Sequence, residues 1–173
     1  MLVGEVRDLE TAQICIRSAL TGHLVLSTLH TNDAPTAVSR LMDIGIEPYM
    51  LAPSLLAVIA QRLIRKLCPD CKEAYESGKE QIKDINLKAE LIYRPKGCSK
   101  CNNTGYRGRS CIAEVMLVNE EIRSLINQRA SFQKIREAAK SNGMQTLYDS
   151  GIKKVEEGTT SLEDAISVTL GAE

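Results

Sequence analysis

Two cysteine pairs, Cys68-Pro-Asp-Cys71 and Cys98-Ser-Lys-Cys101, carry the clearest chemistry in this chain. Each CxxC pair can turn two thiolates onto one ion, and four thiolates with no open position describe a structural tetrahedral zinc site rather than a catalytic one. The segment around the second pair, GCSKCNNTGYRGR, is basic and glycine-containing, the texture of a piece too small for its own core and stapled by metal instead. Four ordinary thiols are the bland alternative, and the doubled spacing argues for metal. Redox chemistry at these pairs is a distant second. Cys15 and Cys111 fall outside the pattern and read as small core residues.

A second group is carboxylate, hydroxyl and imidazole. Glu5 in isolation is an ordinary surface residue, but a second apolar run ends in Ser27-Thr28-Leu29-His30. If the two runs are adjacent parallel strands, Glu5, Thr28 and His30 meet at the carboxyl edge, where open α/β sheets bind ligands. A carboxylate that polarises water and a polar side chain that senses a phosphate are what nucleotide hydrolysis requires. His23 precedes His30 by about 23 Å of extended chain at 3.3 Å per residue, so one straight strand cannot bring both to one phosphate. His30 is the candidate, and His23 reads as a packing or subunit-contact residue.

The elements that must position these groups follow from the pattern. Residues 1–5 read as a strand, Asp8 caps a helix with Leu9, Ala12, Ile16, Ala19 and Leu20 on one face, and Gly22 ends it. His23 to Leu29 is the second strand, which makes a βαβ unit with a right-handed crossover. Asn32 or Asp33 caps the next helix, which Gly45 terminates. Pro48 opens a longer one with Leu55, Leu56, Ile59, Leu63 and Leu67 at helical spacing. The charged stretch SGKEQIKDINLKAE is expected to be a helix or a mobile excursion. Beyond Ala113 the pattern predicts a bundle of four short helices with caps at Asn119, Ser131 and Ser161, the last resembling a capping box with Asp164.

Composition sets the limits. A chain of 173 residues buries about 70% of its unfolded surface. With no tryptophan and one phenylalanine its core must be aliphatic, which suits α/β or helix-rich architecture. Lys plus Arg equals Asp plus Glu at 22 each, so no field of one sign draws in nucleic acid. The longest apolar run, Met50 to Ala60, falls short of the roughly 20 residues of a spanning helix, and no export signal is visible. A cytosolic chain is the expectation, with its cysteines as thiols or ligands. Arg62, Arg65, Lys66, Arg94, Lys96, Lys100, Arg107 and Arg109 surround the cysteine pairs, with Tyr93 and Tyr106 among them. This is a solvated basic face, or a surface for nucleic acid with tyrosines as stacking platforms, or one for acidic phospholipid headgroups.

Taken together these residues resemble the ATPases of type II secretion and type IV pilus assembly, the general secretion pathway protein E and pilus extension group. MLVGEVRDLETA looks like the tail of that family's Walker B box, TGHLVLSTLHTNDA like its histidine box, and AQRLIRKLCPDC with GCSKCNNTGYRGR like its tetracysteine segment. The resemblance continues to GTTSLEDAISVT near the C-terminus. It implies an α/β fold: the C-terminal part of a RecA-like parallel-sheet ATPase domain (residues 1–67), a tetracysteine zinc subdomain (68–112) and a C-terminal helical subdomain (113–173). It implies a homo-hexamer that binds ATP and magnesium between subunits and moves pilin or pseudopilin subunits. The implied partners are an inner-membrane platform protein, cytoplasmic secretion or pilus components and acidic phospholipids, on the cytoplasmic face of the inner membrane.

Within that resemblance Glu5 matches the catalytic Walker B glutamate, and His30, with Thr28, the phosphate-sensing part of the histidine box. Arg7 is grouped with Thr28 on the nucleotide-binding side, although chemistry alone derives no role for Arg7 or Asp8. The family's phosphate loop, GxxxxGK[ST], does not occur in these residues. The chain is therefore expected to be the C-terminal piece of a longer motor and inactive by itself. The competing expectation is a non-catalytic zinc module recognising nucleic acid, protein or acidic lipid, which has no need of a βαβ unit upstream of its metal.

Overall fold

The computed structural model describes residues 1–77 and 87–170. The chain forms two compact units, Met1–Ala60 with Glu114–Met144 and Gln61–Ala113 with Gln145–Glu173.

The first unit opens with the expected parallel pairing, reduced to a short ladder around the single bridge Leu2↔Leu26 in place of two full strands over 1–5 and 23–29: Val3 N donates to Leu26 O at 2.9 Å, Leu26 N to Met1 O at 3.0 Å and Val6 N to Thr28 O at 2.9 Å. Helix α1, Leu9–Leu20, connects the two runs. Asp8 caps it by accepting from Thr11 N at 2.8 Å. It ends at Gly22, whose φ of +92° is the left-handed conformation that glycine adopts without strain. Helix α2, Ala34–Asp43, is capped by Asp33 with Pro35 in its first turn, and α3 is the short Pro48–Ser54. Helices α4, Glu120–Asn127, and α5, Phe132–Ser141, complete the unit, capped by Asn119 and Ser131 as the sequence predicts. Their apolar faces close one core around Ala12, Ile16, Val38, Leu51, Met116, Ile122, Ile126 and Ile135.

The long helix expected from Pro48 through Leu67 is not formed. α3 stops at Ser54, and strand β1 runs Ala57–Leu67. Leu56, Ile59 and Leu63, expected to line a buried stripe, are 62%, 63% and 58% exposed. Leu56 lies just before the strand, and within it Val58, Ala60, Arg62 and Ile64 are the more buried set, alternating with Ile59, Gln61 and Leu63 at the period of a strand. Pro53 so near the end of α3 helps to stop it.

The second unit holds β2, Glu73–Glu76, paired antiparallel with β3, Leu91–Arg94, in the register Glu73↔Arg94 to Glu76↔Leu91. Strand β4, Tyr106–Leu117, pairs with β1, and the division between the units crosses both strands. Helical structure was expected beyond Ala113, but β4 continues to Leu117: Ile112, Glu114 and Met116 face inward while Val115 and Leu117 face out. Helices α6, Leu147–Glu156, and α7, Leu162–Leu170, pack on the antiparallel pair through Ile92, Val155, Leu162 and Ala165. The four C-terminal helices thus occur, but they divide two and two between the units rather than forming one bundle. Ser161 does cap α7, donating no partner to a box: Asp164 turns to Arg65 instead, accepting from its N at 2.8 Å and its Nε at 2.6 Å. The true capping box is Thr146 with Asp149. Most of the charged stretch after Ser77 lies outside the described residues.

Candidate functional site

The carboxyl end of the parallel ladder gathers Glu5, Arg7, Thr28 and His30. Glu5 Oε1 lies 2.7 Å from His30 Nε2, and Glu5 Oε2 accepts from Arg7 Nε at 2.6 Å. The Thr28 hydroxyl donates to Gly4 O at 2.7 Å, so it ties the two runs together beside Glu5 and keeps oxygen lone pairs for another donor. Glu5 is the sheltered member, its side chain 19% exposed against 76% for Arg7 and 87% for His30. The Arg7 guanidinium hydrogen bond holds the Glu5 carboxyl below the ordinary carboxylate range. Partial burial opposes this, and the charge of Arg7 and the His30 ring add to the lowering. A carboxylate held in this way stays ionised and can orient a water molecule. The structure therefore brings Glu5, Arg7, Thr28 and His30 together. His23 is not part of this group: its Nδ1 lies 3.3 Å from the Thr21 hydroxyl at the end of α1.

The four cysteine sulfurs lie within 4.8 Å of one another. Cys68 Sγ is 3.9 Å from Cys98 Sγ, Cys71 Sγ 3.8 Å from Cys101 Sγ, and Cys98 Sγ 3.7 Å from Cys101 Sγ. A zinc ion at about 2.3 Å from each sulfur sets tetrahedral S···S edges of about 3.8 Å, so the cluster fits the ion. The second knuckle is a 3-10 turn, Ser99–Cys101, with Asn102 and Asn103 in the left-handed region at φ 52° and 58°. Gly105 follows at φ +75°, where a Cβ would run into Pro95. Its N–H donates to Cys101 Sγ at 3.3 Å, and Cys98 N donates to the same sulfur at 3.2 Å. Burial works against a Cys101 thiolate, but these N–H groups, together with hydrogen bonds from the Cys98 and Cys71 side chains, outweigh it and bring the thiol down to about 6. Burial, joined by the neighbouring sulfurs, pushes Cys71 up to about 12. Four thiols this close cannot all ionise without a counter-charge, and a dication at their centre supplies it.

The basic residues around this cluster are mostly engaged. Lys96 and Arg94 reach Glu73 at 2.6 and 3.4 Å, and Lys100 reaches Asp70 at 2.5 Å, an ion pair that links the two knuckles. Arg65 stands 4.0 Å over the Tyr106 ring and Lys72 4.2 Å over Tyr93. The tyrosines thus have cationic partners of their own within the unit, and Tyr106 also shares its hydroxyl with Ser161 at 2.7 Å. Arg107 and Arg109 are exposed.

Sequence reasoning passed over one buried carboxylate. Glu114 on β4 is 4% exposed, and its Oε1 accepts from Ala34 N, at the start of α2, at 2.9 Å. The signal was the alternation Ile112, Glu114, Met116, which places it inward once this segment is read as a strand.

Fold and site define an α/β protein with a carboxylate–imidazole pair at the edge of a parallel pairing and a four-thiol cluster that could hold a metal ion. The profile of the family described as type II/IV secretion system protein matches residues 1–167. The chain belongs to this family. It is 51% identical over 172 residues to the type II secretion system ATPase E of Vibrio cholerae, covering 98% of this chain and 34% of that protein. It is 45% identical over 175 residues to the type IV pilus assembly ATPase PilB of Myxococcus xanthus, covering 98% of this chain and 31% of the relative. The chain thus spans about a third of the length of these relatives. Its fold is similar to that of the Legionella pneumophila ATPase DotB, with a TM-score of 0.65 at 20% identity over 99% of this chain and 38% of that one.

Proposed function

We propose that this chain is the C-terminal portion of a hexameric motor ATPase that couples ATP hydrolysis to pilin or pseudopilin movement in type IV pilus extension or type II secretion. The observation that carries the reading is the 2.7 Å contact of Glu5 with His30 at the carboxyl end of the parallel ladder, in a chain matched by the family over residues 1–167. Glu5 orients and polarises the attacking water. His30, with Thr28, senses the phosphate from the neighbouring run, and Arg7 keeps Glu5 ionised until nucleotide arrives. Cys68, Cys71, Cys98 and Cys101 hold zinc, whose contribution is to fix the geometry of their unit. ATP and magnesium are bound by the parent, because no phosphate loop occurs among these residues and the chain has nothing to cradle the β- and γ-phosphates. The motor works beside the inner membrane with a platform protein. Among the described residues no helix is long and apolar enough to cross a membrane. A zinc module acting alone in recognition has no use for the Glu5–His30 pair, and no observation favours it.

The test is Glu5→Gln in the full-length parent. Turnover falls by roughly 10²–10⁴-fold, the range for loss of a proton-handling group, while ATP binding is retained. Unchanged turnover sinks the assignment of Glu5.

A further inference from the structure

His30 is held to Glu5 by a side chain that is 87% exposed, so what keeps it there has to come from the backbone on either side. Upstream the anchor is plain: Val6 N donates to Thr28 O at 2.9 Å and the Thr28 hydroxyl to Gly4 O at 2.7 Å. Downstream the chain passes through Thr31, Asn32 and Asp33 into α2. There the anchor is supplied by two residues far along the sequence. Glu114 accepts the N–H of Ala34, and Arg136 on α5 pairs with Asp33, the residue that caps α2 by accepting from Thr36 N at 2.8 Å.

Each contact answers a physical need. Ala34 is the first residue of α2 and fully buried, so its N–H is one of the orphan donors of a helix start and has no water to turn to. The Asp33 side chain serves Thr36, leaving Ala34 to Glu114. Glu114, 4% exposed, in turn requires donors to remain in the core, and the positive end of the α2 dipole suits its charge. Truncating Glu114 leaves a buried N–H unsatisfied four residues from His30, while the upstream anchor is untouched. The Arg136–Asp33 pair is then the remaining downstream anchor, and the loop is held less firmly at that end.

We propose that Glu114, aided by Arg136, is a positioning residue that sets His30 against Glu5 by pinning the start of α2. This rests on the reading of Glu5 and His30 given above. Its effect is on geometry at the reacting centre, where a displacement of about 1 Å costs up to 10²-fold in rate.

The test is a double-mutant cycle in the full-length parent, with turnover normalised to ATP-binding stoichiometry so that unfolded protein does not count. His30→Ala, Glu114→Ala and the double variant are compared. Glu114→Ala lowers kcat by about tenfold with KM for ATP within about twofold of wild type, the signature of an interaction realised at the transition state. In the His30→Ala background the same substitution costs nothing further, because the two residues act through one contact. If Glu114→Ala fails to fold, Glu114→Asp, which withdraws the carboxylate by one methylene, takes its place in the same cycle with a smaller loss that also vanishes without His30. Losses that multiply, or a normal kcat for the Glu114 variants, overturn the positioning role while leaving Glu5 and His30 standing. A His30→Ala variant with full turnover overturns the reading of His30 and this proposal with it.

Discussion

Glu5 makes its two contacts with opposite oxygens, Oε1 toward His30 and Oε2 toward Arg7. The Arg7 hydrogen bond, rather than the His30 ring, contributes most to lowering its proton affinity, so Arg7 is paired with Glu5 here, where the motif grouped it with Thr28 on the nucleotide-binding side. The direction has a kinetic consequence. A carboxylate with depressed pKa is active in its ionised form down to more acidic pH, so Arg7→Ala in the parent releases Glu5 upward toward the ordinary range. The acid limb of kcat/KM against pH then moves to higher pH, and a limb that stays in place or moves lower contradicts this arrangement. The juxtaposition of Glu5, Thr28 and His30 was legible in the sequence because adjacent parallel runs deliver the side chains at their ends to one edge. Arg7's function was not, because it lies in a side-chain geometry that spacing does not encode. Glu114 was missed for another reason: a single carboxylate inside an apolar run announces burial only when the period of that run is known.

The element between Leu55 and Leu67 shows how that period is misread. Leu55, Leu56, Ile59, Leu63 and Leu67 satisfy helical spacing, yet Val58, Ala60 and Ile64 in the same segment fit an alternation, and short apolar runs do not decide between the two. The strand wins because it pairs with β4 and buries Ile64, 1% exposed, in place of Leu63, 58% exposed. The two readings predict opposite outcomes. In this chain Ile64→Ala costs about 2–5 kcal/mol of stability, the range for emptying a core site, whereas Leu63→Ser stays within about 0.5 kcal/mol. Denaturant midpoints of the two variants check this, and a Leu63→Ser variant as damaged as Ile64→Ala restores the helix. Helix caps, in contrast, were read correctly at Asp8, Asn119 and Ser131, and of the pair Asn32 or Asp33 it is Asp33 that caps α2, since a cap is a local hydrogen bond between a side chain and the N–H groups that follow it.

At the scale of the whole molecule, the tetracysteine segment shares its core with α6 and α7, an association between distant stretches that no local pattern announces. Among the described residues the apolar cluster that joins β3 to α6 and α7 is small, Ile92, Val155, Leu162 and Ala165, so a metal staple has much to contribute there. Stripping zinc with a chelator is expected to expose four additional reactive thiols and to open residues 68–112 to trypsin, while amide protection in α1 and α2 persists. A chelated protein with unchanged thiol reactivity contradicts the metal assignment. On the first unit Leu2, Leu24 and Leu26 are 80%, 64% and 58% exposed along the parallel ladder, an apolar surface of the kind that a sheet covers with further strands or helices. That surface and the third of each relative's length that the chain spans bear on the proposal that hydrolysis belongs to a longer motor of which these residues supply the water-orienting edge. The most direct measurement is ATP turnover by residues 1–173 and by the full-length parent, assayed side by side with equal zinc content. The account predicts no turnover above background for the short chain and magnesium-dependent turnover for the parent; sustained hydrolysis by residues 1–173 alone contradicts it.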